Sequence, residues 1–338
     1  MFEGELLDRF VLAGLGAGIS DVSLAEDRRI LTGFLAWSGR RVWEVQASDV
    51  DGWLADLRTR GRARSTVYDR ANTIARFYDF LTLRYQREVH ARTGWVVVQP
   101  VDEFNRPQHV ADVMVRVPPS PAEVAALFEG WRQGLPQARK YRTAARNYVV
   151  ASLWRRAGLR IGESVKLRMG DWYFQAGGLG RLHVRFGKGS LGRGPREWMV
   201  PAIDGVDVLL RWWLEEVRPC FPDDHTVREA PLFPGERRVG TDGLAPAGTR
   251  TVREGLAAAV ACHLPDWTGR LTPHVLRHAC ASGLYERGVD LAAIQDLLGH
   301  RWLVTTCGYI HVPPARIEHA WAQANARVAD RLNCGESR

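Results

Sequence analysis

The chain has 338 residues, 46% of them apolar and 25% charged, with a formal net charge of +8. That length exceeds one typical core, so an ordinary soluble globular protein of two domains is expected. No apolar run approaches the ~20 residues of a membrane span, and "MFEGELLDRF" lacks the basic start and apolar core of a signal peptide.

An intracellular, cytoplasmic protein is therefore expected. The excess of positive charge favours a polyanionic partner, nucleic acid foremost. Five cysteines (Cys220, Cys262, Cys280, Cys307, Cys334) form no CxxC pair. They fit reduced thiols better than a disulfide frame or a zinc site. Of the 46 basic residues only Lys140, Lys166 and Lys188 are lysine. Codon usage in a GC-rich genome accounts for that bias, and it makes a lysine inside a motif conspicuous.

Residues 1–100 read as helical. Leu24, Ile30, Leu31, Phe34 and Leu35 follow helical spacing. "SDVDGWLADLRTRG" offers Ser48 as a cap and Gly61 as a stop. Ser65 then opens a helix with Val67, Ala71, Ile74, Phe77, Tyr78 and Leu81 on one face. The turn between these two helices carries Arg58, Arg60, Arg62 and Arg64 beside Ser65 and Thr66. It is either a solvated charged loop or a DNA-phosphate contact, since guanidiniums and hydroxyls at a helix start suit both.

Prolines at 100, 107, 118 and 119 break the periodicity and mark a linker. Ser120-Pro121-Ala122-Glu123 has the form of a capping box with proline at the first helical position. A second, mixed domain begins there. Helices are expected at 121–133, 141–157, 203–217, 248–262, 273–286 and 290–298. "RLHVRFGKGS" and "REWMVP" read as two strands around a Gly-rich turn.

The chemistry concentrates in "HVLRHACASGLYERGVDLAAIQDLLGHRWLVTTCGYIHV", residues 274–312. His274, Arg277 and His278 fall on one helical face, with His300 and Tyr309 downstream. A zinc site is disfavoured: no glutamate follows His274 in the HExxH manner, and Arg277 would repel a cation. A phosphodiester under attack gains charge on its non-bridging oxygens. Guanidiniums bind these bidentately, imidazole N–H groups add donors, and no metal is required. A tyrosine nucleophile would conserve bond energy as a covalent phosphotyrosine. Its ordinary pKa of about 10 calls for positive neighbours.

Two upstream segments add to this set. Arg160 in "GLRIGE" sits among apolar residues, so partial burial is expected; Glu163 is its local partner. Lys188 lies on the Gly-flanked turn "GKG". Arginine holds its proton to above about pH 12, whereas lysine can release one, so Lys188 suits a general acid for a departing 5′-oxygen.

Taken in order, these segments resemble the tyrosine recombinases of the lambda-integrase family over most of the chain. "GLRIGE" looks like the first arginine box, "GKG" the β-hairpin lysine, "HVLRH" the HxxR box, and "LGHRWLVTTCGYIHV" the stretch from LGH to the nucleophile. The resemblance implies a mainly α fold with a small antiparallel sheet: a helical (SAM-like) core-binding domain at 1–112 and an α+β catalytic domain at 113–338. It implies that Arg160, His274, Arg277 and His300 bind the scissile phosphate, Lys188 protonates the leaving oxygen, and Tyr309 attacks. His278 and Glu163 would be supports, and Tyr285, read as mid-helix, a poor rival nucleophile.

Double-stranded DNA with inverted-repeat core sites is the implied partner, bound by a homotetramer that is monomeric when free. No cofactor, metal or ATP is implied. The hairpin after Lys188 is longer than the family's usual one, which leaves its geometry open. No arm-binding domain precedes the helical region, which suggests a simpler phage or mobile-element integrase or transposase. A type IB topoisomerase and an inactive DNA-binding protein are the alternatives. After Tyr309, the stripe Ile317, Trp321, Ala324, Val328 and Leu332 packs either on its own domain or on a neighbouring protomer.

Overall fold

The computed structural model describes residues 2–108, 118–187 and 196–299. They fall into two compact units. The boundary expected at 112/113 lies outside the described residues.

The first unit is helical, as expected: α1 (Phe2–Gly16), α2 (Asp21–Ser38), α3 (Ala47–Thr59), α4 (Arg64–Arg84) and α5 (Gln86–Thr93). α2 starts at Ser20, whose hydroxyl accepts the Ser23 N–H at 3.3 Å. Ser48 does not cap α3. The cap is Gln46, two residues earlier, where the Asp49 carboxylate reaches back to accept the Gln46 N–H at 2.9 Å. All six residues predicted for the inner face of α4 are buried, and they join Leu6, Leu31, Phe34, Val50 and Leu54 in one core. Leu35 is only half-buried.

The second unit contains α6 (Pro121–Gly134), α7 (Tyr141–Arg156), the single-turn α8 (Ile161–Ser164), β1 (Trp172–Tyr173), β2 (Arg181–Gly187) and β3 (Arg196–Pro201). It continues through α9 (Val206–Trp212), β4 (Pro234–Val239), β5 (Gly243–Pro246), α10 (Thr249–His263), α11 (Pro273–Glu286) and α12 (Leu291–Leu298). The capping box at α6 forms as expected: Glu123 N–H donates to Ser120 Oγ at 3.2 Å, and Ser120 N–H to Glu123 Oε2 at 2.7 Å.

α7 is buried on every side from Ala145 to Trp154 and is the central helix, with α10 and α11 packed against it. The antiparallel sheet runs β1-β2-β3, with Leu182 opposite Val200 and Val184 opposite Trp198. Leu182, Val184 and Val200 are buried, so that face of the sheet joins the core. The helix expected at 203–217 starts later, at Val206, and finishes in a π turn over Trp213–Val217. The β4–β5 hairpin was not anticipated. No described helix is long and apolar enough to cross a membrane.

Candidate active site

Two arginines far apart in the sequence meet at one carboxylate. Arg160 sits at the N-terminus of α8. Its backbone N–H donates to Glu163 Oε2 and its Nη1 to Glu163 Oε1, each at 2.7 Å. The Arg160 side chain keeps 26% of its surface exposed, whereas Glu163 keeps 3%. Part of the Arg160 side chain therefore stays open to solvent while its partner carboxylate is buried.

Arg277 reaches the same carboxylate from α11, which opens with the Thr272 hydroxyl accepting the Val275 N–H at 3.3 Å and with Pro273 in its first turn. Arg277 is 1% exposed, and its Nη1 lies 3.8 Å from Glu163 Oε2. Nη1 also donates to the Gly158 carbonyl, and Nη2 donates to the Leu298 carbonyl at 2.6 Å. Leu298 ends α12, where the helix dipole presents partial negative charge, a favourable place for a guanidinium. Charge-assisted bonds from fixed groups hold the fork in one orientation.

Glycine is required next to this cradle. Gly158 has φ +63°, and a Cβ there would stand 2.4 Å from Leu298 Cδ2. Gly299, with φ +63°, directly precedes His300. A Cβ on it would fall 2.5 Å from the Trp198 ring, whose Nε1 donates to the Leu297 carbonyl at 3.3 Å. Trp198 thereby ties β3 to the end of α12.

His274 does not share the burial of Arg277. It is exposed in the first turn of α11, and its ring meets that of half-buried His278 edge-on at 4.7 Å. Tyr285 stands in the last turn of α11 rather than mid-helix, half-buried against the core. Among the described residues, no three His, Cys, Asp or Glu side chains converge as metal ligands. Lys188, His300, Tyr309 and the stripe from Ile317 to Leu332 lie outside the described residues. The structure thus brings Arg160 and Arg277 together and adds a second partner for Glu163. The spacing of Arg160 and Glu163 signalled their pair; no sequence feature announced the carbonyls of Gly158 and Leu298, or Trp198.

Cys280 packs behind this site, buried, its thiol 3.5 Å from the Arg156 carbonyl. Burial pushes the thiol up to about 12, with Asp204 adding to the effect. The reactive thiolate is therefore scarce at neutral pH. Alkylation of the native protein at pH 8 is expected to modify exposed Cys220 and Cys262 and to spare Cys280, read by peptide mass spectrometry. Modification of Cys280 at the rate of Cys262 would contradict its burial.

In the first unit, Arg58, Arg60, Arg62, Arg64 and Ser65 are exposed and Thr66 is half-buried. Arg60 Nε donates to Asp56 at 3.0 Å, so one of the four turn arginines is already paired.

Residues 133–316 match the phage integrase family. Tyrosine recombinase XerC of Mycobacterium leprae is 30% identical over 89% of this chain and 91% of its own length. Tyrosine recombinase XerD of Oceanobacillus iheyensis is 26% identical over 97% of this chain and 100% of its own. The fold is that of the Tn1549 transposon integrase, solved with transposon right end DNA: TM-score 0.66, 15% identity, covering 95% of this chain and 99% of that one. The chain belongs to the phage integrase family. It is a site-specific tyrosine recombinase, a DNA strand transferase, and the matches favour that reading over the topoisomerase and the inactive binding protein.

Proposed function

We propose that this recombinase cleaves duplex DNA at inverted-repeat core sites through Tyr309. The Tyr309 hydroxyl gives up its proton to solvent as its oxygen attacks the scissile phosphorus, a 3′-phosphotyrosine bond forms, and the bond to the 5′-oxygen breaks. The leaving oxygen takes its proton from the Lys188 ammonium. Arg160, Arg277, His274 and His300 carry the charge of the transition state. Rejoining is the reverse step with a new 5′-hydroxyl, so neither metal nor ATP is consumed.

The observation that carries this reading is the pair Arg160 and Arg277 held at the single carboxylate of Glu163. One anionic anchor beneath two guanidiniums suits a phosphate bound above them. The helical unit within 1–112 serves as the core-binding domain and 113–338 as the catalytic domain, working in the cytoplasm on nucleoid DNA. Four copies assemble on paired sites from free monomers, with the stripe Ile317 to Leu332 as the docking element. A 1:1 complex with Ile317 and Trp321 buried in their own domain would end the docking idea.

The test is a nicked suicide duplex carrying the core site. Wild type is expected to form an SDS-resistant adduct, unchanged by EDTA, and Tyr309→Phe none. Lys188→Ala should cleave slowly and recover with a 5′-phosphorothiolate leaving group. An adduct from Tyr309→Phe would place the nucleophile elsewhere.

A further inference from the structure

Helices α2, α3 and α4 of the first unit enclose a concave pocket of about 220 Å³. Two indoles line it: Trp53, which is buried, and Trp37, which is 41% exposed. Four guanidiniums converge there, Arg29 from α2, Arg60 and Arg62 from the turn, and Arg70 from α4. Two of these are held by acids: Glu26 grips Arg29 through both oxygens, with Nε at 2.8 Å, and Asp56 accepts from Arg60. Arg62 and Arg70 make no ion pair among the described residues. Arg70 instead stacks 5.7 Å above the Trp53 ring. Burial, and then the like charges of Arg29 and Arg62, draw its pKa below the ordinary arginine value.

Like charges gathered over an aromatic floor, with too few carboxylates, are stabilised when an anion enters. Guanidiniums that stack on rings and fork toward phosphate oxygens suit a phosphodiester. We infer that this pocket seats one backbone phosphate of duplex DNA, with Arg62 and Arg70 as its ligands and Arg29 recruited from Glu26 as it binds. Exposed Arg58 and Arg64 continue the positive strip along the same turn, as a strand requires and a lone phosphate ion does not. The inference rests on the reading that this recombinase binds DNA, and it assigns Arg29, Arg70, Trp37 and Trp53 roles that the turn arginines alone did not suggest.

The test measures anisotropy of a labelled mixed-sequence duplex with the full chain across a salt series. Each neutralised phosphate contributes about 0.9 to the slope of log K against log salt, which is ~5-fold in affinity at 0.15 M. Arg70→Ala and Arg62→Ala should each lose about that much. Glu26→Gln, which frees Arg29, should bind several-fold tighter with a steeper slope, a gain that a folding defect would not produce. Wild-type slopes for both Arg70→Ala and Glu26→Gln would overturn the assignment. Failure of wild type to bind any duplex would instead remove the DNA reading itself. Inorganic phosphate, compared with chloride at equal ionic strength, should not displace the duplex preferentially. Preferential displacement that Arg70→Ala abolishes would reassign the pocket to the free ion.

Discussion

Glu163→Ala should cut single-turnover cleavage of the suicide duplex about 100-fold, since reacting groups displaced by ~1 Å lose on that order of rate. Glu163 is 3% exposed and lies between two guanidiniums. Its partners differ in what they lose. Arg160 is a quarter exposed, so water replaces much of that interaction. Arg277 is 1% exposed, and removing this carboxylate takes a counter-charge from a buried cation while the carbonyls of Gly158 and Leu298 stay in place. Breaking a buried pair costs about 3–5 kcal/mol, and the expected loss of folding stability lies toward the lower end because those carbonyls remain. Glu163→Gln preserves shape and one acceptor for Arg160 but not the charge opposite Arg277, so it should lose less stability than Glu163→Ala and still cleave about tenfold more slowly, a barrier rise of ~1.4 kcal/mol. Wild-type cleavage by Glu163→Gln would show that the carboxylate does not position the arginines.

Gly158→Ala should be among the most damaging small substitutions in the second unit. A left-handed conformation costs a residue with a Cβ about 1–2 kcal/mol, and crowding against Leu298 adds roughly 1–3 kcal/mol. The added methyl would stand 2.4 Å from Leu298 Cδ2, so the buried Leu298 side chain must give way, and the same residue supplies the carbonyl that Arg277 uses. Cleavage is therefore expected to fall further than thermal stability accounts for. Combining Gly158→Ala with Leu298→Ala should be less destabilising than the two single effects added, by about 1–3 kcal/mol of coupling. Strict additivity in urea unfolding would refute the proposed collision.

Much of this fold was legible because side-chain pattern and burial agree. The face of α4, the Ser120–Glu123 box and the starts of α6, α7, α10 and α11 follow from apolar spacing and capping chemistry. The β4–β5 hairpin was missed because "PGERRVGTDGLAP" is short, glycine-rich and charged, with only Leu244 and Ala245 buried on β5. Ser48 looked like a cap because hydroxyls usually fill that place; a nearby aspartate served instead. At the site, residue types singled out Arg160 and Arg277, which the structure brings to one carboxylate. What joins them was half hidden. Glu163 was visible only as a neighbour of Arg160, and the acceptors from Gly158 and Leu298 are peptide groups, which every residue carries alike.

That last point bears on how such a site survives divergence. Arg277 takes two of its acceptors from the main chain. A peptide oxygen cannot be lost by point substitution, so the orientation of this guanidinium is insulated from most sequence drift around it. The vulnerable positions are those that set the path of the backbone, Gly158 above all. The aim of this arginine thus depends less on the side chains around it than on a glycine that fixes where the peptide oxygen stands.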